Sequence, residues 1–203
     1  MEYFKEIEER VILVGVQMND GEDTEESLEE LSELAKTAGA QTVGTIIQNR
    51  EAVHPGTYIG KGKIEEVRSL VLAMDANGVI CDDELSPAQL NNLERELDCK
   101  VMDRTLLILD IFARRAVTSE GKIQVELAQL RYRSARLVGL RESLSRLGGG
   151  IGTRGPGEKK LETDRRLIRT RISALKEELK QVEKHRELIR GKRAKGNLKT
   201  AAI

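Results

Sequence analysis

The sequence has few aromatic, cysteine and proline residues. Of its 203 residues, three are tyrosine, two phenylalanine, two cysteine and three proline, and none is tryptophan. Two thiols make a poor disulfide framework, and Cys81 and Cys99 lack the spacing of metal ligands, so we expect reduced structural cysteines and no metal site. Because 39% of the residues are hydrophobic and 33% charged, the chain is too apolar to be disordered, and its core must be built from aliphatic side chains.

Long apolar runs are also missing. The longest early run, Val11 to Val16, is far shorter than the ~20 residues of a membrane-spanning helix and follows an acidic beginning. The sequence therefore predicts neither a signal peptide nor a membrane span. We expect a cytoplasmic globular protein of one or two domains.

The charges balance over the whole chain but not within it. The 34 Lys and Arg residues equal the 34 Asp and Glu residues in number. Residues 1–100 carry 22 acidic and 9 basic side chains, a net of −13, whereas residues 101–203 carry 12 and 25, a net of +13. This asymmetry predicts an acidic module joined to a basic module that attracts anions.

Residues 1–118 alternate predicted strands with predicted helices. The continuous apolar run of the first strand is typical of a strand buried on both faces, and Asp23 and Ser86 begin helices with capping signals. Strands are predicted at Arg10 to Gln17, Thr42 to Ile47, Val79 to Asp82 and Lys100 to Met102, and helices at 24–39, 63–75, 86–97 and 104–117. The alternation predicts an α/β fold, a small parallel β-sheet covered by helices.

From Ser119 onward the pattern changes to long helices. Apolar residues recur every seven positions from Ile123 to Leu144 and again from Leu161 to Ile189. Residues 148–157 between them include six glycines and one proline, which break helices. The spacing predicts a long antiparallel two-helix coiled-coil hairpin over 119–190 with a glycine-rich tip loop. Residues 191–203 are expected to be a basic linker and the truncated start of a further domain.

The tip loop is longer than a helix connection requires. Gly150, Gly152 and Gly155 match G-x-G-x-x-G, but a helix precedes them instead of a strand, which excludes the dinucleotide-binding motif. Glycines let a ligand approach the backbone, and Arg154 can fork onto a phosphate or stack on a base. We interpret the loop as functional, with a flexible turn as the alternative.

The predicted helices beside this loop are rich in arginine. Residues 131–171 contain twelve basic and four acidic side chains. A solvated surface with intrahelical ion pairs is one interpretation. The preference for arginine favours a phosphate-rich partner instead, and because Tyr132 is the single aromatic residue there, structured RNA fits better than single strands.

A second candidate site lies in the loop from Asn49 to Gly62. This loop leaves a predicted strand end, where open parallel sheets bind ligands, and Gly60, Lys61, Gly62 and Lys63 begin a predicted helix that could hold a phosphate. The segment is not a Walker A loop, because G-x-x-x-x-G-K-[ST] occurs nowhere in the chain. A tight entry turn with two solvated lysines is the competing interpretation.

No catalytic site is predicted. We interpret His54 as a hydrogen-bonding loop residue and His185 as a surface residue. The run from Asp82 to Glu84 makes only a weak metal site without further ligands. No nucleophile, base and orienting residue can be assembled from the sequence.

Several long motifs resemble a known family, the HflX family of ribosome-associated GTPases. The resemblance covers essentially the whole chain and rests on Asp103 to Ala113, Gln124 to Leu130, Gly152 to Glu158, Asp164 to Arg166, His54-Pro55 and Gly60 to Lys63. It implies an N-terminal domain, made of an α/β subdomain and a helical hairpin, followed by a GTPase domain. That GTPase domain would begin near Thr200, so the chain is expected to be a fragment that lacks it.

The resemblance also implies partners and cofactors. The expected partners are the large ribosomal subunit with its rRNA, and the protein's own GTPase domain; the family dissociates or rescues ribosomes under stress. The residues implied to bind RNA are Gly149, Gly150, Gly152, Thr153, Arg154, Gly155, Gly157, Lys159, Lys160, Arg165, Arg166 and Arg169. GTP and Mg are expected for the full-length family, but no cofactor and no GTP hydrolysis for this fragment.

The sequence leaves two alternatives to this function open. Some members of the family bind adenine nucleotide outside the GTPase domain, so an ATP-binding or ATPase module that remodels RNA is one, with Gly60, Lys61, Gly62 and Lys63 as its nucleotide site. The other is an intramolecular regulator of the missing GTPase domain.

Overall fold

The computed structural model describes the backbone of residues 9–18, 23–147 and 156–195, and their side chains except those of 137–161 and 194–195. The elements are β1 (Glu9–Gln17), α1 (Thr24–Thr37), β2 (Ala40–Asn49), α2 (Lys61–Ala73), β3 (Gly78–Cys81), α3 (Pro87–Leu97), β4 (Lys100–Asp103), α4 (Arg104–Arg115), α5 (Ser119–Leu147) and α6 (Pro156–Lys195). They divide into two compact units, Met1–Arg115 with Ala135–Ile151 and Ala116–Ser134 with Gly152–Ile203.

The first unit is built on a four-stranded sheet. Its strand order is β2-β1-β3-β4, and every neighbouring pair is parallel. The predicted α/β class with a small parallel sheet is therefore confirmed. The connection from β1 to β2 runs toward one edge of the sheet, whereas the connections from β2 to β3 and from β3 to β4 run toward the other edge. This arrangement creates the kind of strand-end crevice in which open α/β sheets bind ligands.

The core of the first unit lies on both faces of the sheet. Ile12 and Val14 join one apolar cluster with side chains of α2 and α3. Val11 and Leu13 join a second cluster with side chains of α1 and α4. All four are at most 6% exposed, which explains why the sequence of β1 is continuously apolar instead of alternating.

The predicted capping signals form hydrogen bonds. The Asp23 carboxylate accepts from the backbone N–H groups of Glu25 and Glu26. Ser86 and Gln89 form a complete capping box at the start of α3. After α1, Gly39 has a φ of +84°, the left-handed conformation that glycine adopts without a steric penalty.

The second unit pairs α6 with the first half of α5. Leu175 is fully buried and clusters with Ile123 and Leu127. Arg171 Nε donates to Glu126 Oε1 at 2.7 Å, and Arg186 donates to Glu120 at 2.5 Å. Because residue numbers rise along α6 as they fall along α5, these segments are antiparallel.

Several boundaries differ from the sequence-based expectations, among them three at the ends of α4 and α6. The helix α6 begins at Pro156, inside the predicted tip loop, because proline fits the first turn of a helix, where its missing N–H is not needed. It continues through Gly191 to Lys195, so the predicted linker begins too early; one glycine costs a helix only about 1 kcal/mol. The helix α4 ends at Arg115 instead of Val117.

The cysteines are free thiols, as the sequence predicts. Cys81 is buried in β3 and Cys99 is half-buried. Burial raises the pKa of the Cys81 thiol, and the neighbouring carboxylates raise it further, so this thiol stays protonated. Within the described residues, no helix has the length and apolarity needed to span a membrane.

Candidate functional site

Tyr58 anchors the loop between β2 and α2 to the carboxyl end of β3. Its side chain is 1% exposed, and its hydroxyl donates to Asp83 Oδ2 at 2.6 Å. Its φ of +66° is unusual for a residue with a side chain, so the surrounding contacts hold it in place. Burial raises the pKa of Tyr58 above its usual value, with further contributions from Cys81 and Asp83. The phenol is therefore a structural donor.

His54 closes the same loop. Its backbone N–H and C=O bond with those of Tyr58 at 2.8 Å each, and its Nδ1 accepts from the N–H groups of Gly56 and Thr57. On the other side, Gln89 of α3 donates to His54 O at 2.9 Å. The expectation that His54 is a hydrogen-bonding loop residue is confirmed. His185, also as expected, is exposed on α6.

The acidic run after β3 is divided among different partners. Arg104 donates to Asp82 Oδ1 at 3.1 Å and to Glu30 Oε2 at 2.6 Å, whereas Asp83 accepts from Tyr58. Partial burial opposes the charge of Arg104, but the bonds to Glu30 and Asp82 outweigh it and raise the pKa of Arg104. Among the described residues, no three His, Cys, Asp or Glu side chains group as a metal site would require.

The predicted phosphate loop forms the first turn of α2. Gly60 is the N-cap residue; its N–H donates to Gln48 Oε1 at 2.9 Å and its C=O accepts from Lys63 and Ile64. Lys63 pairs with Glu66 at 2.6 Å, which offsets its charge. Lys61 is exposed and forms no ion pair with any other residue that the structure describes.

Arg50 is a cation at this helix start that the sequence pattern did not identify. A side chain built on Gly60 would come within 2.8 Å of Arg50 Nη1, so the guanidinium lies beside the N-terminus of α2. The separation of ten residues along the chain hides this proximity. The helix start therefore has two cations, Arg50 and Lys61, near the positive end of the helix dipole.

The predicted RNA-binding residues are described only in part. Six of them, Gly149, Gly150, Gly152, Thr153, Arg154 and Gly155, lie outside the described residues. Three others, Gly157, Lys159 and Lys160, lie in the first turns of α6, where the side chains are not described.

The remaining three predicted residues differ in exposure. Arg166 and Arg169 are exposed on α6. Arg165 is 9% exposed and lies 3.7 Å from Glu162 Oε2, which makes it a poor surface contact for RNA. Among the predicted RNA-binding residues whose side chains are described, Arg166 and Arg169 are therefore the ones exposed to solvent.

Two family models match the chain. The model described as GTP-binding GTPase N-terminal matches residues 25–113, and the model described as GTP-binding GTPase Middle Region matches residues 115–193. The boundary between them falls at the end of α4, where the sheet-containing part of the first unit ends.

Curated relatives agree with these matches. GTPase HflX of Lacrimispora saccharolytica is 70% identical over 98% of this chain and 47% of the relative. GTPase HflX of Escherichia coli strain K12 is 48% identical over 96% of this chain and 46% of the relative. The chain thus spans about half the length of the curated relatives it matches.

The fold also has a solved counterpart. It is a GTP-binding protein of Sulfolobus solfataricus in complex with GDP, with a TM-score of 0.59, 22% identity, and coverage of 86% of this chain and 46% of that one. At that identity the likeness concerns the fold alone.

Proposed function

The chain belongs to the HflX family of GTPases, whose N-terminal and middle regions it carries, and from this premise we propose that it binds the large ribosomal subunit through structured ribosomal RNA. The observation that carries the proposal is the pair of exposed arginines Arg166 and Arg169, which follow the glycine-rich segment 148–157 on one helix. Arginine forks match phosphate oxygens, and a rigid helix holds them at fixed spacing.

The proposed RNA contact is the end of a two-helix arm. The antiparallel pairs Glu126–Arg171 and Glu120–Arg186 support a hairpin in which α5 and α6 lead to and from residues 148–155. These pairs also neutralise two carboxylates that would otherwise repel phosphate. In the proposal, Arg154 and the glycine backbone contact RNA at the tip, and Arg166 and Arg169 contact phosphates beside it.

Guanine nucleotide is expected to bind outside this chain. The sequence has no G-x-x-x-x-G-K-[ST] loop, so we assign GTP and Mg to a part of the whole protein outside this chain. The chain would then position the protein on the cytoplasmic ribosome, and the GTPase domain would be its intramolecular partner in dissociating or rescuing stressed ribosomes.

Sedimentation with purified large subunits tests the proposal. The chain should pellet with the subunits at low salt and be released as salt rises, because phosphate contacts release counterions. A variant with Arg154→Ala, Arg166→Ala and Arg169→Ala should lose most of this binding. A control with Lys36→Ala and Arg95→Ala removes exposed cations from the acidic residues 1–100 and should bind normally. Equal binding by all three proteins would refute the proposed contact.

An ATP-binding module remains a second candidate because Arg50 and Lys61 flank the start of α2. Backbone N–H groups and two cations suit a phosphate. Calorimetry with ATP should show binding that Lys61→Ala and Arg50→Ala each weaken, whereas Arg95→Ala should leave it unchanged. No heat with ATP, or heat indifferent to both variants, would remove this candidate.

A further inference from the structure

The strand β2 forms one edge of the sheet. It pairs with β1 along its whole length, from Glu9 opposite Ala40 to Gln17 opposite Asn49. Its other side faces away from the sheet, and within the described residues no strand pairs with it there. Ten residues of backbone therefore present alternate N–H and C=O groups at this edge.

This edge lacks the usual protection against strand addition. Natural proteins shield exposed edges with charge, proline or short length. The opposite edge, β4, follows that rule: it has four residues and carries Lys100 and Asp103. The sequence of β2, in contrast, has no charged residue and no proline. Its single irregularity is a bulge at Val43, near its amino end.

The two faces beside the edge differ in chemistry. On the α1 face, Thr45 is exposed, and Thr42 Oγ1 accepts a hydrogen bond from Ser32 at 2.9 Å. On the α2 face, Val43 and Leu70 both pack against the first apolar cluster, and Leu70 Cδ2 lies 2.9 Å from the position that a Cβ at Gly44 would occupy. An added strand would therefore meet polar groups on one face and apolar groups on the other.

Acidic side chains border the α1 face. Ser32 marks the side of α1 that faces β2, and Glu25 and Glu29 lie within about 60° of it around the helix, since successive residues turn by about 100°. Both are exposed and form no ion pair with any other residue in the described ranges. Lys36, about 40° from Ser32 around the helix, is 3.7 Å from Glu33, which offsets its charge. The border thus carries a net negative charge.

We propose that β2 binds an extended cationic peptide segment as a fifth strand, with lysine or arginine on the α1 face and β-branched residues on the α2 face. Backbone hydrogen bonds would provide affinity, and the acidic border with the Val43 and Leu70 surface would select the alternating pattern. A second copy of the chain fits less well, because two-fold pairing along β2 would place the two acidic borders against each other. The proposal is independent of RNA binding.

A synthetic peptide alternating lysine and valine, matched to the ten residues of β2, tests the proposal on the intact chain. Fluorescence anisotropy should show saturable binding, and hydrogen exchange should slow at the amides of β2. Two control peptides test the contributions of charge and of backbone hydrogen bonds. Replacing lysine with glutamate should abolish binding, and N-methylating every second residue, which removes the edge-facing donors, should do the same.

Variants of the chain separate strand addition from general attraction. Thr45→Lys puts a like charge on the strand and should weaken binding about tenfold, as should Glu25→Lys with Glu29→Lys. Glu84→Lys changes an exposed charge away from the edge and should have no such effect.

Three results would overturn the proposal. One is equal binding of the N-methylated peptide, which would mean charge attraction without a strand. Another is full protection of the β2 amides without peptide, which would mean that the edge is already paired. The third is a dimer in light scattering that Thr45→Lys converts to monomer, which would identify a second copy as the occupant.

Discussion

The carboxylate of Asp103, fully buried at the end of β4, pairs with the guanidinium of Arg136 on α5. The same carboxylate accepts from the N–H of Leu106 at 2.9 Å and of Leu85 at 3.1 Å, and Arg136 also donates to Leu85 O at 3.0 Å. One buried acid therefore joins β4, the start of α4, the loop before α3 and the second half of α5, all within the first unit.

Arg136→Met is expected to destabilise the protein by about 3 kcal/mol. Removing one partner of a buried ion pair leaves the other charge without compensation in a medium that solvates it poorly. Urea unfolding measures the change. Arg133→Met, at an exposed position on the same helix, serves as the control and should change stability by less than about 0.5 kcal/mol. Equal effects of the two substitutions would show that the pair contributes little.

The protein should lose stability above about pH 10. The raised pKa of Tyr58 keeps its phenol protonated in the folded state, whereas an unfolded tyrosine ionises near pH 10. The contribution of Tyr58 is thus fully present below that pH and falls as the pH rises above it. Unfolding measured from pH 8 to pH 11 should show a smaller decline for Tyr58→Phe. An unchanged decline would contradict the assignment, as would phenolate absorbance from Tyr58 in folded protein at pH 10.

Gly15→Ala should destabilise the first unit by about 1–3 kcal/mol through overpacking. An added Cβ would lie 2.6 Å from Thr24 Cγ2 and 3.0 Å from Leu28 Cδ1, where α1 packs against β1. The control is Gly62→Ala, because a Cβ there meets nothing within 4 Å and alanine favours a helix. Thermal unfolding should show a lower midpoint for the first variant only. A loss of stability in both would indicate that close packing is not the cause.

The salt dependence of ribosomal subunit binding should reveal how many phosphates the arm contacts. Arg166→Ala with Arg169→Ala should reduce the slope of log affinity against log salt by about two, one for each lost phosphate contact. Filter binding over a salt series measures the slope. The matched variant Lys36→Ala with Arg95→Ala should keep the original slope. A slope unaffected by the arginine pair would place the phosphate contacts elsewhere on the chain.

Elements set by local interactions could be predicted from the sequence. The capping residues Asp23 and Ser86 and the left-handed Gly39 act within a few positions, so their patterns locate the helix boundaries they control. The apolar run of β1 predicts burial on both faces for the same reason. The predicted start of α6 is too late because Pro156 is assigned to the tip loop. Proline breaks a helix when it lies inside it but is accepted in the first turn.

Features that depend on distant residues could not be predicted. Arg136 is 33 positions from Asp103, and in the sequence it looks like any other arginine of a basic helix. Arg50 reaches the start of α2 only because the loop between them folds back through His54 and Tyr58. The unprotected edge of β2 follows from the strand order, which the alternation of strands and helices leaves open.

The central position of β1 affects how the domain can assemble during synthesis. In the order β2-β1-β3-β4, each strand after the first pairs with one made earlier: β2 with β1, β3 with β1, and β4 with β3. Among the described strands, none after β1 has to wait for a partner encoded downstream. The sheet can therefore grow outward in both directions as the chain leaves the ribosome, and every intermediate of two or more strands already contains correctly paired backbone.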